Sequence, residues 1–72
     1  MNMIKNDNEL KVTQERIARF QEQVAHLRRV ETNPKSYHLS ASGFLTEIDR
    51  MQLEVREYLR LHPSEMTTAS AG

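Results

Sequence analysis

Phe44, Ile48, Met51, Val55 and Tyr58 recur at alternating steps of four and three residues, which on a helix gathers them into one narrow stripe. A second stripe, Ile17, Phe20, Val24 and Leu27, precedes it with the same spacing. Between them lies a short polar break containing Pro34. The pattern therefore predicts an all-α fold, a coiled-coil-like antiparallel hairpin of two amphipathic helices, each with one apolar edge.

Boundaries follow from capping and breaker residues. Thr13 is a suitable N-cap, and Val12 with Ile17 stands at hydrophobic-staple spacing, although Arg16 occupies the position where a capping box would place Glu or Gln. No Gly or Pro interrupts the chain from there to Glu31, and Glu15 precedes Arg19 by four residues in the favourable order. Helix one is thus predicted over about 13–31, stopped by Thr32, Asn33 and Pro34, with a loop over 32–39. Ser36, Ser40 and Ser42 are candidate caps for helix two. Ser40 is the preferred one, because it sets Leu39 just outside, Phe44 at the fourth helical position and Gly43 in the first turn. Helix two then runs over about 40–62, ending at Pro63. Asn2, Asn6 and Asn8 interrupt any helical pattern before Val12, so 1–12 reads as a polar N-terminal arm; 63–72 reads as a flexible tail.

Composition narrows the function classes. Seventy-two residues with 38% apolar content allow one domain with a small core, and the absence of cysteine excludes disulfides and cysteine-based zinc sites. Ten basic and ten acidic side chains cancel, with a pI of about 6.8, so no broad attraction for phosphate backbones arises. Nowhere is there an apolar run of the roughly 20 residues that a membrane span requires, and Met1 to Leu10 lacks the apolar stretch of a secretion signal. A cytoplasmic protein is expected.

No constellation of reactive residues stands out. His26, His38 and His62 do not form a zinc-binding pair; Glu22 and His26 share a helix face, but as solvated side chains. His62 falls near the negative end of helix two, which mildly favours its cationic form. Glu47, Asp49, Glu54 and Glu57 alternate with Arg50, Arg56 and Arg60, as on a water-facing helix laced with weak ion pairs. With Gly43 and Gly72 as the only glycines there is no phosphate loop, and no serine sits in a nucleophile elbow. The expectation is a non-enzymatic protein with no catalytic, cofactor or metal site and no small-molecule substrate. Arg16, Arg19, Arg28 and Arg29 make helix one locally basic and are the only candidates for phosphate contacts.

Two helices make one seam and leave each helix a flank open to water, whereas a four-helix arrangement closes the core on all sides. Leu45 and Leu59 lie on one shoulder of the second stripe, Leu61 on the other and Leu53 opposite. Leu45 with Leu59 reads as a contact surface. Leu53 is kept beside them as an outer candidate, although a single exposed leucine needs no explanation. The expected assembly is a homodimer forming an antiparallel four-helix bundle with Phe20, Phe44, Ile48, Met51 and Val55 near its centre and Tyr58 in the seam with its hydroxyl at the rim. A dedicated protein partner is the alternative.

Ile4-Lys5-Asn6, Leu10, Val12-Thr13 and Phe20, followed by Phe44, Ile48, Met51, Val55, Glu57-Tyr58 and Leu61, resemble the N-terminal helical hairpin of bacterial XRE-type, antitoxin-like helix-turn-helix regulators. Short stand-alone proteins of unassigned function look similar as well. The chain stops where those regulators continue into their DNA-reading domain, so the resemblance does not imply direct operator recognition. It implies a bacterial or phage-derived accessory segment that dimerises or docks on a regulator or toxin. A non-enzymatic oligomerisation or adaptor module, with a regulatory role, is the function expected; the alternative is an accessory protein contacting DNA or a toxin.

Overall fold

Helix α1 spans Asp7–Val30 and helix α2 spans Pro34–Leu59 in the computed structural model, which describes residues 4–65. Residues 31–33 join them. The two helices pack antiparallel: the Phe20 and Phe44 rings meet edge-on with centroids 5.4 Å apart, and Tyr58 reaches Asp7 at the opposite end. The hairpin is a rod of 53 × 17 × 15 Å. Its radius of gyration is 15.9 Å, against about 11 Å for a compact domain of this length.

Both helices begin earlier than the sequence pattern predicted. Helix α1 starts six residues before Thr13, because Asn6 is its N-cap: the Asn6 side chain accepts from the Glu9 backbone N–H at 2.8 Å, and Glu9 accepts from the Lys5 N–H at 2.8 Å. The arrangement is a variant of the capping box in which Glu9 reaches back to the residue before the cap. Asp7 and Glu9 in the first turn and Arg28 and Arg29 in the last complement the helix dipole. Much of the expected arm is therefore helix, with residues 1–3 outside the described region.

Helix α2 starts six residues before Ser40. Pro34 was read as a stop, yet it occupies the first helical turn, where its missing N–H has no helical partner to lose and its fixed φ suits the helix. Asn33 caps it, accepting from the Lys35 N–H at 2.9 Å and the Ser36 N–H at 3.3 Å. The loop of eight residues expected over 32–39 contracts to three. At its other end α2 stops at Leu59, with Arg60 as C-cap, so Leu61 and His62 lie beyond the helix. His62 then accepts from the Ser64 backbone N–H at 3.1 Å within a further turn. The flexible tail expected over 63–72 falls, from residue 66 onward, outside the described residues.

The core is one seam. On α1 and its cap, Leu10, Thr13, Ile17, Phe20, Val24, Leu27 and Glu31 are the residues not fully exposed, spaced alternately by three and four. Facing them, Tyr37, Ala41, Phe44, Ile48, Met51, Val55 and Tyr58 continue the same alternation along α2. Ile17, Ile48 and Met51 form the buried centre, with Phe20, Val24 and Val55 packed against it. Ala41 and Ile4 are buried as well, at 1% and 9% exposure.

Candidate interaction surface

The seam residues expected from the sequence come together as a set. Ile17, Ile48 and Met51 are buried, while Phe20, Val24, Leu27, Phe44, Val55 and Tyr58 are half-buried. Each of the latter keeps an edge facing outward, as a single contact line between two cylinders must leave it. Leu10, Tyr37, Ala41 and Ile4 belong to the covered set and were missed. The first three sit at the same three-and-four spacing; extending the stripe past the assumed helix starts would have found Leu10 and Tyr37, whereas Ala41 lies inside the predicted helix two.

The two flanks of α2 beside the seam differ. One carries Glu47 and Glu54 and is bordered by Arg50, whose guanidinium holds both carboxylates, Glu47 at 2.6 Å and Glu54 at 2.8 Å. The Arg50 hydrogen bond and charge keep the Glu47 carboxyl below its ordinary pKa. Glu54 is thereby left only 16% exposed. The opposite flank carries Leu45, Gln52 and Leu59 at seven-residue intervals. Leu45 is 45% and Leu59 60% exposed, against 16% for the Glu54 side chain and 45% for that of Glu47. Leu53, 55% exposed, and Leu39 project from the back of α2. Leu61, which the sequence pattern set on the acidic shoulder, follows the helix end.

Asp49 and Arg56 border the leucine flank, and among the described residues neither makes an ion pair. The ion pairs of α2 join Glu47, Arg50 and Glu54, and Glu57 with Arg60, away from that flank.

At the open end of the hairpin the Tyr58 hydroxyl donates to a carboxylate oxygen of Asp7 at 2.6 Å, across 51 residues of sequence. That bond, with lesser help from desolvation and the charges of Asp7 and Glu9, pushes the Tyr58 pKa up to about 12. The hydroxyl sits at the rim, as the stripe position predicted.

Arg16, Arg19, Arg28 and Arg29 are all exposed but do not share a face. At about 100° per residue Arg28 and Arg29 point to sides of α1 away from Arg16, about 18 Å along the axis. The described residues contain no group of three or more potential metal-ligating side chains, and no described helix is long and apolar enough to cross a membrane. Compared with known protein families, curated proteins and solved structures, the chain matches none of them.

Proposed function

We propose that this chain is a self-associating helical-hairpin module, an oligomerisation or adaptor element with no chemistry of its own, whose working form is a homodimeric four-helix bundle. One observation carries the reading. Among the described residues five are buried, Ile4, Ile17, Ala41, Ile48 and Met51, while seven large apolar side chains stand exposed, among them Leu45 and Leu59 immediately beside the seam. Apolar surface left open along a seam is stabilised when a second surface removes it from water, by about 25 cal/mol for each Å² covered. A regulatory context, as in the hairpins of helix-turn-helix regulators that the sequence resembles, accommodates such a module.

The test is dilution. Light scattering is expected to give twice the mass of one chain at high concentration, with helical circular dichroism falling as the complex dissociates. A chain that keeps the mass of a monomer and melts cooperatively at every concentration would overturn the proposal.

A further inference from the structure

We infer that the surface covering the leucine flank is the same flank of a second copy, with the two α2 helices antiparallel across a twofold axis near Gln52. The inference rests on the self-association proposed above and specifies its geometry. A twofold axis perpendicular to two antiparallel helices pairs residues whose numbers sum to a constant, so the surface must be complementary to its own reversal. The flank has that property. Leu45 and Leu59 lie seven residues on either side of Gln52, so each leucine meets the other type in the second copy and Gln52 meets its own counterpart, amide to amide.

The bordering charges obey the same rule. Asp49 and Arg56 sum to 105 where Leu45 and Leu59 sum to 104, a displacement of one residue, or about 1.5 Å along a helix. Each copy's Asp49 therefore faces Arg56 of the other, twice per dimer. These are the α2 charges beside the flank that lack an ion pair among the described residues, whereas Arg50 already bridges two glutamates on the opposite flank. No like charges meet in this arrangement. Val55, half-buried in the seam, borders the same contact on its inner side, so the two α1 helices complete a square of four.

Two measurements on the full chain test the geometry. The first exploits the absence of cysteine: Gln52→Cys is expected to oxidise to a disulfide-linked dimer, because residues on the axis approach closely enough for the bond, whereas Glu57→Cys on the far side is expected to remain unlinked. The second is charge exchange. Arg56→Asp sets two acidic groups opposite each other twice, and is expected to weaken dimerisation roughly fivefold to tenfold at low salt; Asp49→Arg is expected to do the same. The double exchange of both residues is expected to return the dissociation constant to within about twofold of the starting value. A dimer that links equally through both cysteines or through neither, or whose double exchange is no better than the singles, overturns this arrangement while leaving self-association standing. A monomer under all conditions overturns both.

Discussion

The two flanks of α2 solve the same problem in opposite ways. On the acidic flank, Arg50 bridges Glu47 and Glu54, so the charges there are paired within the helix, with the Glu54 side chain 16% and the Glu47 side chain 45% exposed. On the leucine flank, Leu45 and Leu59 remain 45% and 60% exposed. Exposed ion pairs of this kind contribute little to stability, in the range of about 0.2–1 kcal/mol each. Their effect here is to give one flank a polar surface of paired charges, while the other borders the seam with apolar side chains. The two sides of α2 thus differ in chemistry: one carries paired charges, the other exposed leucines.

The largest expected effect separates the seam from both flanks. Ile48 is 5% exposed and stands at the centre of the buried cluster with Ile17 and Met51. Ile48→Asp removes its apolar contacts and forces a carboxylate into a site with no partner for it, a loss of roughly 3–5 kcal/mol. Helical circular dichroism is expected to collapse at all concentrations, together with any dimer. A variant that stays folded would mean that the seam contributes little, and the contrast between seam and flank would dissolve.

The seam's centre was readable from the sequence because it depends on periodicity alone. Ile17, Phe20, Val24, Phe44, Ile48, Met51 and Val55 repeat in the register that helix geometry imposes, and their positions are insensitive to where either helix begins. The ends were obscured by two residues with double meanings. Asn6 looks like a helix breaker in an asparagine-rich stretch, yet Asn6 with Glu9 is a capping sequence. Pro34 ends one helix as readily as it begins another, and only Asn33 immediately before it tips the balance toward a start. Ala41 was overlooked since its methyl carries little weight in a hydrophobic pattern, although its 1% exposure shows that the seam runs straight through it. The inequality between the flanks was half visible. Leu45 and Leu59 could be placed on one shoulder, but the bridging of Glu47 and Glu54 by Arg50 on the other needed side-chain geometry.

A smaller effect sharpens the difference between flanks from the acidic side. Gly43 lies within α2 beside that flank, and a methyl group built on it meets nothing within 4 Å. Its φ is not positive, so alanine adopts the same backbone without strain. Gly43→Ala is expected to stabilise the hairpin by roughly 0.5–1 kcal/mol through the lower entropy of the unfolded chain. Thermal melting should rise, and the dimer dissociation constant measured by light scattering should stay the same or tighten with the hairpin's stability, never weaken. A weakened dimer would place a contact on the flank assigned here to water.

The smallest effect concerns the open end, where neither flank but the Tyr58 hydroxyl ties α2 to α1. Its bond to Asp7 requires the neutral phenol, and folding raises the Tyr58 pKa to about 12 from the usual value near 10. A raised phenol pKa means that the folded state holds the proton more tightly than the unfolded state. The stabilisation is therefore complete below pH 10 and is lost as the pH rises through 12. Between those limits the melting temperature of the parent protein should fall more steeply than that of Tyr58→Phe, which has no hydroxyl to ionise and no bond to lose. Asp7→Asn provides the complementary measurement: with the carboxylate gone, phenolate absorbance should show Tyr58 ionising at lower pH than in the parent. Parallel melting curves for the parent and Tyr58→Phe across this window would mean that the clasp does not hold the ends of the hairpin together in solution, and the seam alone would then set their register.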